Sequence, residues 1–333
     1  VHTYLIKKSD VARVLDMETC IESVENAFRL FGQAKFQMPA RTFLTLEEYN
    51  GDIRSTPAYI PEYQIAGIMA NCDHPDNYKL ELPTKIATIL LIDPKSGFPI
   101  AVVDGTYISN MRTGAAGGIA ARYLANKTID IVGFVGAGKK ARALFDALMI
   151  VHPEIKKIKV YDIIRKHSDL FAEYCISGHN VEVEIVDETA KAVTGCGIVN
   201  TSTSSRKPLF NESIVSAGTH INAIGADSEG RQEMSSSILK KSIMVVDDWN
   251  KASDFGEINV PFHMGEITRA DIQAELGEII IGEKNGRMSE EDITVFDSVG
   301  LAVQDIITAW NVYKRLLENE EYKSKLQDVS FLD

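Results

Sequence analysis

Cysteine is scarce in this sequence and never closely paired: Cys20, Cys72, Cys175 and Cys196 include no C-x-x-C spacing. A disulfide framework is therefore not expected, and four reduced thiols fit a cytoplasmic protein. Positive charge is also short. Lys and Arg number 35 against 47 Asp and Glu, the formal net charge is −12, and no basic run is long enough to track a phosphate backbone. We expect no nucleic-acid partner. No stretch holds the ~18 to 20 consecutive apolar residues of a membrane span. The opening residues, VHTYLIKKSDVARVLDM, show no charged start running into a long apolar segment, so neither a targeting signal nor a membrane partner is expected. Internal repeats and low-complexity segments are missing too.

What is present is a globular composition, 45% hydrophobic and 25% charged, over 333 residues, enough chain for two domains. Residues 9–35 space Val11, Val14, Leu15, Cys20, Ile21, Val24, Ala27 and Phe28 as helix faces, with Ser9 as a cap and a second piece starting at Met17. From RTFLTL to FPIAVVDG the texture is short apolar runs broken by Gly, Pro and Asp, which predicts a strand meander. ISNMRTGAAGGIAARYLANK, rich in small residues, predicts a closely packed helix ending near Asn126. From residue 129 strands and helices alternate, the βαβ pattern of an open, largely parallel sheet. The closing DITVFDSVGLAVQDIITAWNVYKRLLENE predicts a strand, a Gly turn and a long helix. Val303, Ile306, Ile307, Trp310, Tyr313 and Leu317 would share its buried face. The central α/β block thus reads as an insertion between an N-terminal domain and a returning helix.

The most informative motif is IDIVGFVGAGKKARALFDAL. An apolar strand enters Gly136-Ala137-Gly138-Lys139-Lys140-Ala141, a G-x-G-x-x-A loop, and a helix follows. Gly136 permits the tight turn, Gly138 admits a pyrophosphate close to the backbone, and Ala141 keeps helix and strand close. The helix N-terminus offers unbonded N–H groups and partial positive charge. Such glycines also mark plain strand-to-helix turns. Here, however, the next strand, KIKVYD, ends in Asp162, 24 residues after Gly138, where a carboxylate can take both ribose hydroxyls of NAD and repel the 2′-phosphate of NADP. The cofactor expected is NAD. NADP is the alternative that Arg165 and Lys166 would admit.

MRTGAAGGIAARYLA, GFVGAGKKA, GTHINAIGAD, VVDD, GEI and FDSVGLAVQD, in this order over almost the whole chain, resemble the ornithine cyclodeaminase/mu-crystallin family, especially its archaeal alanine dehydrogenase branch. The resemblance implies a homodimer of α/β class. A Rossmann dinucleotide-binding domain, residues 114–299, would be inserted in an α+β substrate-binding and dimerisation domain, residues 1–113 plus 300–333. It also implies chemistry at a Cα–N bond of a small amine, amino acid, 2-oxo acid or imine, with hydride moving between Cα and nicotinamide. Asp227, after the apolar HINAIGA, is then the proposed catalytic acid/base; judged alone, the lesser alternative is a cap of the next helix. Arg41 in MPARTFL and Arg112 in MRTG match positions where the family grips the substrate carboxylate with a guanidinium fork. Arg112 could instead be an interface ion pair. On the cofactor side the expected residues are Thr84, Arg112, Thr113, Gly136, Ala137, Gly138, Lys139, Lys140, Asp162, Thr201, Ser202, Asp227 and Asp297. Thr113 and Gly114 would lie at a helix N-terminus facing phosphates.

One stretch departs from the family. In GIMANCDHPDN, residues 67–77, Met69 stands where the family carries a lysine, and a thioether can neither polarise a carbonyl nor pair with a carboxylate. Lys85, in LPTKIA, is a second departure. By strand alternation it is a candidate neighbour of the same cavity, or is exposed to solvent. Lys139, Lys140, Ser204 and Asp254-Phe255 are further atypical positions. The adjacent Cys72, Asp73 and His74 could suggest a metal. Consecutive side chains point in different directions, so a polar loop entering a Pro75 turn is the preferred reading and no metal is expected. The function expected is an NAD(H)-dependent C–N oxidoreductase with substrate specificity altered at Met69. The alternatives are ornithine cyclisation to proline with release of ammonia, or a non-catalytic binding protein of the mu-crystallin kind.

Overall fold

The computed structural model describes residues 2–332. The chain forms two compact units: Val1–Arg112 with Leu301–Asp333, and Thr113–Gly300. The first begins with β1 (Thr3–Ile6), α1 (Lys8–Val14) and α2 (Met17–Gly32), then a run of strands, β2 (Thr42–Leu46), β3 (Gly51–Ile60), β4 (Ile65–Asp73), β5 (Lys85–Ile92) and β6 (Pro99–Asp104), and enters α3 (Gly105–Leu124). Lys7, not Ser9, is the residue before α1, because the helix starts two residues earlier than a Ser9 cap implies. The Asp16 carboxylate caps α2 by accepting the Thr19 N–H at 2.8 Å.

The second unit continues with β7 (Ile131–Val135), α4 (Lys139–Val151), β8 (Lys157–Tyr161), α5 (Arg165–Gly178), β9 (Glu182–Ile185), α6 (Thr189–Val193), β10 (Ile198–Thr201), β11 (Arg206–Phe210), β12 (His220–Ala223), β13 (Gln232–Met234), α7 (Ser236–Lys241), β14 (Ile243–Val246), α8 (Trp249–Phe255), α9 (Asn259–His263), β15 (Ile272–Glu275), α10 (Leu276–Ile280) and β16 (Thr294–Asp297). Eight strands form one sheet in the order β15-β14-β16-β12-β10-β7-β8-β9, parallel at every pairing. Outward from β7 the chain goes first through β8 and β9, then crosses back to β10 and β12. The order reverses between β7 and β10, the switch point where such sheets bind ligands beyond their C-terminal edge. Both faces of β7 are covered: Phe134 meets Phe171 of α5 at 4.9 Å between rings, while Gly133 lies so close to the Ala192 carbonyl of α6 that a Cβ would collide. That is why the strand reads as an unbroken apolar run. The small residues of α3 serve the same purpose. A Cβ on Gly114 would strike the backbone of Ala143, and one on Gly118 would crowd Ala147 of α4.

The chain then returns to the first unit with α11 (Ala302–Glu318), α12 (Glu320–Lys323) and β17 (Gln327–Val329). The sheet of this unit runs β17-β1-β6-β5-β4-β3-β2, with β2 through β6 an antiparallel meander as expected. Helix α11 lies on β3, β4 and β5 and beside α2. Val303, Ile306 and Ile307 are buried; Leu316 takes the core place expected of Leu317, and Trp310 and Tyr313 are half-buried. Gly67 of β4 leaves room for Ile306, whose Cδ1 would be 2.5 Å from an added Cβ. Among the described residues no helix is long and apolar enough to cross a membrane.

Candidate functional site

In the second unit the glycine loop lies at the C-terminal edge of the parallel sheet. Gly136 has φ +96°, a conformation strained for any side chain, and its N–H donates to the Tyr161 carbonyl at 2.8 Å. Gly138 precedes α4, no side chain caps that helix, and an added Cβ would meet nothing within 4 Å. Open space before a 13-residue helix with uncapped N–H groups suits a pyrophosphate. Asp162 follows β8 and is held in place: one carboxylate oxygen accepts the Ala137 N–H at 2.9 Å, the other the Ile164 N–H at 2.8 Å, with His167 Nδ1 at 3.4 Å. A fixed carboxylate beside the loop suits a ribose diol. These residues therefore fit a dinucleotide.

Asp227 sits four residues beyond β12, in the loop that leaves it. Its side chain is 14% exposed and lies between two cations, Arg231 Nη1 at 2.5 Å from Oδ1 and Lys140 Nζ at 3.4 Å from Oδ2. Lys140 belongs to the glycine loop and also donates to the Ile224 carbonyl at 3.0 Å. The acid/base candidate and the dinucleotide loop are thus brought together. Lys139 is exposed. Ser202 Oγ reaches the Gly136 carbonyl at 3.4 Å, so this residue also borders the loop.

Thr201 and Asp297 were expected at the cofactor but are interior. The Thr201 hydroxyl donates to Glu233 at 2.7 Å, and Asp297 is 1% exposed, accepting the Ile258 N–H at 3.1 Å. Burial pushes the Asp297 carboxyl up to about 8, with the charges of Asp247 and Glu233 adding to it. It belongs to a group of buried acids that also contains Glu233, Glu257 and Asp247. The Glu257 carboxyl lies well above the ordinary range through burial and the charge of Glu233. Sequence reasoning missed Glu233 and Glu257, although GEI was noticed. Glu257 accepts the N–H groups of Glu233 and Met234, and Glu233 accepts those of Thr203 and Gly225, so the two carboxylates shape the loop carrying Asp227.

Thr113 and Gly114 do not lie at a helix N-terminus. They are well inside α3, which starts at Gly105, where the Asp104 carboxylate accepts the Tyr107 N–H at 3.0 Å. Backbone N–H groups in a helix interior are already bonded, so this part of the expected phosphate contact is corrected.

In the first unit Arg112 is buried, its Nε 2.8 Å from Asp305 Oδ1 and one Nη 3.3 Å from Ser109 Oγ. Arg41 stacks on Phe43, 4.7 Å from the ring centre, and Arg54 on the same ring at 5.1 Å. Arg54, which sequence reasoning passed over, is buried and bonds both oxygens of Asp52 at 2.7 and 2.8 Å. Met69 is 2% exposed, opposite Thr56 of β3 and Ile89 of β5. Asp73, opposite Lys85, lies on the same face of β4; Lys85 Nζ is 3.5 Å and Arg54 3.9 Å from its carboxylate. The Lys85 side chain is 37% exposed. Thr84 is exposed, and its carbonyl accepts the His74 N–H at 2.8 Å. Pro75–Leu80 forms the Pro-initiated turn. Among the described residues no three His, Cys, Asp or Glu side chains gather as metal ligands would.

The model of the ornithine cyclodeaminase/mu-crystallin family matches residues 1–320. An alanine dehydrogenase of Archaeoglobus fulgidus is 43% identical over 316 residues, 95% of either chain. Among solved structures, an archaeal alanine dehydrogenase dimer with bound NAD is similar with a TM-score of 0.94 at 40% identity, covering 100% of both chains. The Delta(1)-pyrroline-2-carboxylate reductase of Thermococcus litoralis, in complex with NADH and L-proline, gives 0.92 at 38% identity, over 95% of this chain and 98% of that one.

Proposed function

The chain belongs to the ornithine cyclodeaminase/mu-crystallin family, and we propose that it is an NAD(H)-dependent oxidoreductase of a C–N bond, acting between a small 2-oxo acid with ammonia, or an imine, and the corresponding amine. The single observation that carries this reading is Lys140, which starts in the dinucleotide loop and ends 3.4 Å from Asp227. It ties a cofactor cradle to a carboxylate able to exchange a proton. The bound nicotinamide supplies or takes the hydride. The second unit is the dinucleotide-binding domain: Gly136 to Gly138 cradle the pyrophosphate and Asp162 takes the ribose. Asp227 carries the proton to and from the substrate nitrogen or an attacking water. The first unit is the substrate domain, where Arg112, oriented by Asp305, and Arg41 grip the substrate carboxylate.

A homodimer is part of the proposal. β2 is a sheet edge, and Phe43, Leu44, Tyr78, Leu80 and Leu82, on it and before β5, are large apolar side chains left 43 to 68% exposed. A second copy would cover both the edge and this patch. Met69, where a lysine would serve carboxylate chemistry, favours a second reading, a ligand binder without turnover. NADH absorbance followed with alanine, ornithine, pyruvate plus ammonia, and a cyclic imine separates the readings. Net NADH turnover supports the oxidoreductase, ammonia release from ornithine without it points to cyclodeamination, and no turnover with any of them supports the binder.

A further inference from the structure

We infer that Lys140 is a positioning residue for Asp227 rather than a ligand of the cofactor phosphates; the inference rests on the proposed acid/base role of Asp227. Lys140 is the second residue of α4, where a lysine could serve a pyrophosphate directly. Its side chain goes elsewhere. Nζ donates to the Ile224 carbonyl at 3.0 Å and lies 3.4 Å from Asp227 Oδ2, and the side chain is only 27% exposed. The carbonyl bond matters as much as the ion pair, because it fixes the ammonium at the point where the chain leaves β12. The loop beyond is pinned at other places as well: the Gly225 N–H donates to Glu233 at 2.9 Å, the Gly230 N–H to the Asn259 side chain at 2.9 Å, and the Arg231 carbonyl accepts from Asn259 at 2.8 Å. These bonds hold the loop to its own flank of the sheet. Lys140 ties it to the dinucleotide loop.

The electrostatic consequence concerns the proton. One Asp227 oxygen is held by Arg231, which never gives up its charge, the other by Lys140. A carboxylate between two cations keeps its charge in more acidic solution than one beside a single cation. Lys140 therefore fixes both where Asp227 stands and over which pH range it is ready to accept a proton from an amine substrate.

The test uses the full-length protein in the amine-oxidising direction at saturating NAD. Lys140→Met should lower kcat on the order of tenfold, a fraction of the ~10²- to 10⁴-fold that a positioned acid/base contributes, and move the acid limb of the pH–rate profile to higher pH. NADH affinity by fluorescence titration should stay within about twofold, since the phosphates sit on backbone N–H groups. Lys140→Arg, which keeps a cation on a side chain of similar length, should recover most of kcat. In the double variant with Asp227→Asn, Lys140→Met should add no further loss, because the two act as a unit. A large loss of NADH affinity with kcat and the pH profile unchanged would make Lys140 a phosphate ligand and overturn the inference. Full turnover in Asp227→Asn alone would instead remove the acid/base reading, a separate failure. Melting temperatures of all variants distinguish either result from misfolding.

Discussion

Arg112 of α3 and Asp305 of α11 form a buried ion pair, Nε to Oδ1 at 2.8 Å, between residues 193 positions apart in sequence. Asp305 lies in the first turn of α11, where the helix dipole favours a negative charge, so the carboxylate is stabilised from two sides. Cys20 of α2 is buried next to the pair, and burial pushes its thiol well up, which leaves it an apolar packing residue here. Asp305 on Nε and Ser109 on one terminal nitrogen together fix the plane of the Arg112 guanidinium.

Asp305→Ala should therefore cost stability and specificity together. Removing one partner of a buried pair leaves an uncompensated charge, about 3–5 kcal/mol, measurable by chemical denaturation. The Michaelis constant for carboxylate-bearing substrates should rise as Arg112 loses its orientation. A loss below about 1 kcal/mol, the range of exposed pairs, would show that Asp305 does not anchor the arginine.

NADH should bind more tightly than NADPH. Asp162 is immobilised by two backbone N–H groups, and Arg165, which could otherwise serve a 2′-phosphate, is 2.9 Å from Asp169 on its own helix. Asp162→Ser should narrow or reverse the preference, as titration of both reduced cofactors will reveal. An unchanged ratio in that variant would assign the discrimination to another residue.

Much of this was legible in the sequence because local chemistry and global fold agree. The loop after GFV needs Gly136 at φ +96°, and Asp162 closes the strand that pairs beside it. The meander was readable from its turns, and α11 from its 3.6-residue spacing. Thr113 was misplaced for a physical reason. The run of small residues around it marks close packing on α4, whereas the signal for the helix start, Asp104-Gly105, lies eight residues upstream. The buried acids were invisible for another reason. Glu233 and Glu257 bond backbone N–H groups from distant segments, and no local pattern announces a long-range satisfaction of that kind. Lys140 could be placed only on the cofactor side from sequence, because its position in the loop was readable and the direction of its side chain, toward Ile224 and Asp227, was not.

The pH dependence of stability follows from two buried groups of opposite sign. Asp297 is pushed from an ordinary 3.8 to about 8, so the stability linked to its proton is fully present below about 4 and is lost as pH rises through about 8. His220, bonded to Thr294 and Asn222, is pushed down to about 3 by burial, so its contribution is present above 6.5 and lost as pH falls toward 3. Above pH 6.5 only the carboxyl slope remains. The melting temperature should fall between pH 6.5 and 8.5, and Asp297→Asn, which cannot ionise, should flatten that fall. An equally steep decline in the variant would move the effect to Glu257 or Asp247.

Met69 provides the last test, because a lysine placed there has consequences of opposite sign for stability and for turnover. The side chain is 2% exposed, between Thr56 and Ile89 on neighbouring strands. The carboxylate on its face of β4, Asp73, lies four residues along the strand and is already 3.5 Å from Lys85 and 3.9 Å from Arg54. Met69→Lys should therefore lower the melting temperature of the ligand-free protein, since a buried ammonium without an anion is costly. If this strand faces the carboxylate of a 2-oxo acid, the substrate supplies the missing anion. The variant should then regain stability on adding pyruvate with NADH, and kcat/KM for pyruvate plus ammonia should rise roughly tenfold, the scale of one positioned charge. Carboxylate-free imines should lose by the same change. A variant that is destabilised, is not rescued by pyruvate and gains no turnover would identify Met69 as a plain core residue and end the proposal that this position sets specificity.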